Sequence, residues 1–141
     1  MIRGYLRRLD ASLASYQWVK SVQVFRCDIL ETEQLQILTY RFRVLLIDNA
    51  MLELMERVVS LKDKPGLETT AYRFHWQDGN GALIKRWDCA PHFPRLTGFP
   101  HHIHVRQEDA VLPGRLINAL EVLVELDKEL SQAREERDHG T

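Results

Sequence analysis

Cysteine is nearly absent. The 141-residue chain has two, Cys27 and Cys89, and their placement has no metal-knuckle spacing. With no export signal in view they read as free thiols rather than a disulfide. Long apolar runs are missing as well. The longest candidate, around Val44–Ile47, is far too short to cross a membrane, which argues against a membrane partner. At the N-terminus, Met1–Arg8 scatters Arg3, Arg7 and Arg8 among apolar residues, and no h-region or small-residue cleavage site follows. No signal peptide is read there, and the cytoplasm is the expected compartment. There is no Gly-rich phosphate loop, no dinucleotide fingerprint and no Gly-x-Ser-x-Gly elbow, so none of the chemistries those motifs carry is indicated. Nor is there an internal repeat, a low-complexity segment or a signature that calls for a cofactor.

What is present suits one domain with one core: 45% hydrophobic and 28% charged residues in a chain too short for a second core. Leu6, Leu9, Leu13 and Tyr16 recur at steps of three and four, which predicts an opening helix. A Val- and Phe-rich strand from Trp18 through Ile29 follows, then a polar turn at Glu31–Gln34. Leu38, Tyr40, Phe42 and Val44 alternate with Thr39, Arg41 and Arg43, the period of a half-buried strand. After a turn at Asp48-Asn49-Ala50, Leu52, Leu54 and Val58 continue as a returning strand. Its Glu56 falls on the apolar side, opposite Phe42, where a carboxylate needs a partner or a sheet edge.

Lys62–Gly66 is a loop. Thr69–Gln77 and Ala82–Asp88 then form a hairpin about Asp78-Gly79-Asn80-Gly81, which contains two competing two-residue turns, Gly-Asn and Asn-Gly. Tyr72, Phe74, Trp76, Leu83 and Trp87 are assigned to its core face; Arg73, His75, Ile84, Arg86 and Asp88 to the other. Ala90–Pro100 is irregular, and His101–Arg106 is short and extended. A closing helix with Pro113 in its first turn has Leu116, Leu120, Leu123 and Leu130 as its stripe. The reading is an α+β domain over residues 1–130, an antiparallel sheet of about five strands flanked by N- and C-terminal helices. A polar tail, 131–141, is expected to fray.

Chemistry concentrates between Arg73 and Arg106. The net charge of −1 hides a stretch with Arg73, Lys85, Arg86, Arg95 and Arg106 against Asp78 and Asp88, followed by an acidic region from Glu121 onward. Such a stretch suits an anion site, although charges on solvated faces also cluster by chance. In the Gly-Asn register Arg73 faces Arg86, a like-charge pair that an anion such as phosphate would relieve; in the Asn-Gly register Arg73 faces Asp88 and His75 faces Arg86. Five of the six histidines lie in this stretch. In Pro100-His101-His102-Ile103-His104, an extended backbone points His102 and His104 to one side, roughly 6–7 Å apart. They could serve as acid and base around a phosphodiester, or ligate a metal completed by His92 or Asp88. Cys89 reads as a structural thiol rather than a nucleophile.

The run Tyr72-Arg73-Phe74-His75-Trp76-Gln77-Asp78, then Gly81, Leu83-Ile84-Lys85-Arg86-Trp87-Asp88, Ala90-Pro91-His92 and Phe99-Pro100-His101-His102-Ile103-His104 resembles the signature of the TumE family of toxins. Two positions depart from it: Cys89 stands where Asn is usual, and Phe93 where a second His often follows His92. The resemblance spans most of the chain. It implies a growth-arresting toxin of a toxin–antitoxin module, a cognate antitoxin that is a small DNA-binding protein, and an RNA target.

Combined with the residues, the expectation is a metal-independent ribonuclease. His102 or His104 acts as base, His92 as acid, and Asp88 orients a histidine or an arginine. Arg86 and Arg73 hold phosphate, with His75 and His101 beside them on the RNA. Two rivals stand: a metal nuclease using Asp88, His92, His102 and His104, and a non-catalytic RNA- or protein-binding module. Homo-oligomerisation is left open.

Overall fold

A computed structural model describes residues 1–140. The elements in chain order are α1 (Ile2–Ser15), β1 (Val19–Glu31), β2 (Leu35–Leu46), β3 (Met51–Leu61), β4 (Glu68–Gln77), β5 (Leu83–Asp88), β6 (His102–Val105), β7 (Val111–Pro113) and α2 (Ala119–His139). The strands form one antiparallel meander in sequential order, β1 to β7. Each strand pairs with its successor, so short connections suffice. None of the described helices is long and apolar enough to cross a membrane.

Strand β2 alternates as its sequence demands. Leu38, Tyr40, Phe42, Val44 and Leu46 are buried, while Thr39, Arg41 and Arg43 point the other way. α1 contributes Ile2, Tyr5, Leu9 and Leu13 to the core, and α2 contributes Ala119, Val122, Leu123 and Leu126. Both helices join the same apolar cluster as the inward side chains of β2, β3 and β4. One face of the sheet is therefore covered by two helices, and the other is left without a helical layer. Each fully buried leucine in that core stabilises by about 1.5–3 kcal/mol.

Glu56 lies on the apolar side, as its position in the alternation requires, but it pairs across to Tyr40 rather than Phe42. It has partners on three elements. The Tyr5 and Tyr40 hydroxyls donate to Oε1 at 2.5 and 2.6 Å, and Thr69 donates to Oε2 at 2.7 Å. Burial pushes the Glu56 carboxyl up, and the three hydroxyl donors oppose that rise.

Four expectations need correction. The sheet has seven strands rather than about five. His102–Val105 pairs on both sides, and Val111–Pro113 is an edge strand, where a proline without an N–H is tolerated. Pro113 thus belongs to β7 and not to a helical turn, and Leu116 is exposed. α2 starts at Ala119, set by a capping box between Asn118 and Glu121.

The polar segment after Ser131 continues as helix to His139. Finally, β4 and β5 carry a bulge between Trp76 and Gln77, which sets Leu83 opposite Gln77 and turns Ile84 against the core. The period-two reading had these two residues exchanged, because a bulge inserts one extra residue on one strand.

Candidate active site

The register of the central strands brings the expected residues together on the uncovered face. Arg73 lies opposite Asp88, and His75 opposite Arg86. One strand further, Asp88 is opposite His102 and Arg86 opposite His104. The Asn-Gly pairing therefore holds beyond the bulge. The Arg73–Arg86 opposition does not occur, so no anion is needed to relieve it.

Two imidazoles have defined tautomers. His102 Nδ1 lies 2.9 Å from the Pro100 carbonyl, and His104 Nδ1 lies 2.8 Å from the Glu108 carbonyl. A carbonyl only accepts, so Nδ1 carries a proton in both rings and donates it; in a neutral ring Nε2 is then the atom with the free lone pair. His102 Nε2 is buried with no protein partner. One ligand-capable atom from each of Asp88, His102 and His104 lies within 4.8 Å of the others. The ring centroids of His102 and His104 are 4.9 Å apart, and Phe93 sits edge-on 4.9 Å from His102 and 6.0 Å from His104. Two imidazoles and a carboxylate, each imidazole held by a backbone carbonyl, could accept a proton or hold a divalent metal ion. Burial is the main cause that pulls His104 below the ordinary histidine value, helped by the Arg86 cation and opposed by its bond to the Glu108 carbonyl.

The two arginines differ. Arg86 is buried, and its guanidinium is gripped by both carboxylate oxygens of Glu108, with the Nη1 bond at 2.8 Å. That pairing holds the Glu108 carboxyl below its usual range. Asp88 lies 3.9 Å from Arg86 Nε, and its Oδ1 accepts the Ala90 N–H at 2.9 Å. Arg73 is exposed and has no ion pair among the described residues. His75 Nε2 bonds Gln77 at 3.0 Å, and burial, with Arg86 and Arg73 nearby, keeps it below the ordinary histidine value.

The loop after β5 closes one end. His92 is exposed and lines the cleft, outside the three-residue cluster. His101 points to the other side of the sheet, with Nδ1 2.8 Å from the Tyr72 hydroxyl, and is not part of the cleft wall. The Cys89 thiol accepts the Tyr72 N–H and donates to the Tyr72 carbonyl, and burial pushes it up, as for a structural thiol. Gly98 and Gly114 allow the loop to approach β6. A Cβ on Gly98 (φ +86°) would lie 2.3 Å from the Gly114 carbonyl oxygen, and one on Gly114 would lie 2.9 Å from the His102 nitrogen.

Arg73, Asp88, His92, Phe93, His104 and Glu108 line one end of a cleft of about 1100 Å³ that runs across the open face from Phe25 on β1. Sequence reasoning missed Glu108, Phe93 and the β1–β3 floor. Glu108 stands four residues after His104 in a reverse connection that no local pattern marks. Arg41 was already on the outward side of the β2 alternation, and only the strand order tells which solvent face it shares.

A family model described as Toxin TumE matches residues 13–132. No curated protein and no solved structure matches the chain significantly. The match spans both the sheet and the histidine cluster, so the chain belongs to the TumE toxin family.

Proposed function

We propose that this toxin acts by cleaving RNA, with its reacting centre at His104, His92 and Arg73. The observation that carries the reading is the pair of tautomer-fixed imidazoles beside Asp88, at the end of a cleft that also holds an exposed, unpaired arginine. His104, which borders the cleft, would take the proton from a ribose 2′-hydroxyl through Nε2; its lowered pKa keeps it neutral and suited to a base. The freed oxygen attacks the adjacent phosphorus, and the 5′-oxygen leaves with a proton from His92. Arg73 stabilises the charge that builds on the phosphoryl oxygens. His102 is 2% exposed, which suits a positioning role with Asp88 rather than contact with substrate. Arg86, neutralised by Glu108, holds the β6 return in place. The products are a 2′,3′-cyclic phosphate and a 5′-hydroxyl. As a toxin, the chain is held in check by an antitoxin partner; a small DNA-binding protein would suit that role.

A second reading rests on the 4.8 Å convergence of Asp88, His102 and His104: the same lone pairs would hold a divalent metal ion that activates water. One experiment separates these. Purified protein is incubated with total RNA in EDTA, then with added manganese or zinc, and product ends are analysed. Cleavage in EDTA with cyclic phosphate ends is expected. Cleavage only with metal supports the second reading, and salt-dependent binding without cleavage would mean a non-catalytic module.

A further inference from the structure

The registers of successive strand pairs compose into one row across the open face. Arg26 on β1 is opposite Arg41 on β2, Arg41 opposite Met55 on β3, Met55 opposite Arg73 on β4, Arg73 opposite Asp88 on β5, and Asp88 opposite His102 on β6. Five strand spacings separate the ends, a span of roughly 24 Å. At the far end, the bulge in β1 between Val24 and Arg26 places Phe25 over the sheet. Its ring lies against two guanidiniums, with Arg43 4.8 Å and Arg41 5.4 Å from the centroid, yet the residue stays 53% exposed. Met55, mid-row, is 41% exposed. Of the acids on this floor, Glu53 pairs with Arg41 and Arg43, Asp28 pairs with Arg26, and Asp88 lies 3.9 Å from Arg86 Nε. Arg57 and Arg73 have no carboxylate partner among the described residues. The cleft follows this row from Phe25 and Arg26 past Arg41, Met55 and Arg73 to Asp88, and ends at His104.

We propose that the open face from Phe25 to the histidine cluster is a binding track for single-stranded RNA, an inference that rests on the RNA-cleaving reading of the cluster. Arg57 and Arg73 meet successive phosphates, and a base stacks on the free side of Phe25. The combination of an aromatic ring and spaced cations on a sheet face is the arrangement single-strand binders use, because every base has a π-face to offer. The span accommodates about four nucleotides, at the low end of known module site sizes. A duplex keeps its base faces stacked inside and has nothing to present to Phe25. The track places the scissile bond at the β6 end, several nucleotides from the base on Phe25.

The test uses 2′-O-methyl oligouridines, which cannot be cleaved by 2′-hydroxyl attack, of two, four and eight nucleotides, together with a 2′-O-methyl duplex. Binding is read by fluorescence anisotropy in EDTA. Affinity should rise steeply from two to four nucleotides, and the duplex should bind more weakly than the eight-mer. Phe25→Ala should weaken the eight-mer about tenfold and leave the dinucleotide within twofold. Phe25→Trp should restore binding, which separates lost stacking from lost folding. Arg57→Gln should reduce the salt slope by about 0.7. A Phe25→Ala variant that binds the eight-mer like wild type, or a duplex that binds equally well, overturns the track even if the protein cleaves RNA. Length- and Phe25-dependent binding without cleavage would uphold the track and sink the cleavage reading.

Discussion

Glu56→Ala is the perturbation whose size the structure best defines. The side chain accepts from Tyr5, Tyr40 and Thr69, and so ties α1, β2 and β4 to β3. Tyr40 is fully buried and Tyr5 is 5% exposed, so water cannot replace the lost acceptor for either. Each orphaned buried hydroxyl costs about 1–2 kcal/mol, the half-buried Thr69 costs less, and the truncated side chain leaves a void. The sum is about 3–5 kcal/mol, the range for breaking one partner out of a buried polar network. For a chain of this length that is a fall in Tm of roughly 10–15 °C.

The effect should also depend on pH. Burial raises the Glu56 carboxyl in the folded state. A raised acid contributes fully below the ordinary glutamate value and loses that contribution as pH rises through the folded value. The gap between wild type and Glu56→Ala should therefore be largest in mild acid and narrow toward neutral pH. Urea denaturation followed by circular dichroism at about pH 5 and pH 8 measures both. A loss below about 1 kcal/mol in mild acid, or a gap that widens with pH, would refute the reasoning.

Arg73→Gln should lower RNA cleavage about 100-fold with the fold intact by circular dichroism, since Arg73 is exposed and unpaired; a change under about threefold would remove it from the reacting centre. Glu108→Gln should free the Arg86 guanidinium and steepen the salt dependence of RNA binding by about 0.7. It also removes the carboxylate charge that raises His104, so the limb of the pH–rate profile reporting the base should move to lower pH; movement to higher pH contradicts the assignment. Gly114→Ala should destabilise the protein by about 1–3 kcal/mol, because the new Cβ meets the backbone of His101 and His102; unchanged urea stability would mean the loop relaxes freely.

The α+β class, the β2 and β3 alternations and the need of Glu56 for a partner were legible from apolar periodicity, since burial on one face imposes it. The sixth and seventh strands were not. β6 has four residues and β7 three, too few for a period to register, and Pro113 at an edge looks the same as Pro113 in a first helical turn. The exchange of Leu83 and Ile84 follows from a bulge, which leaves no mark in residue type. His102 and His104 fell on one face with Asp88 because that face depends only on parity. The masking of Arg86 by Glu108 and the departure of His101 toward Tyr72 depend on loop paths, which the sequence does not encode locally.

Whether His104 removes the proton that starts RNA cleavage is decided by incubating RNA in EDTA with wild type and with His104→Ala, both confirmed as folded. Wild type should cleave to 2′,3′-cyclic phosphate ends, and the folded variant should lose at least about 100-fold in rate. Cleavage by the folded His104→Ala variant at the wild-type rate would contradict that role.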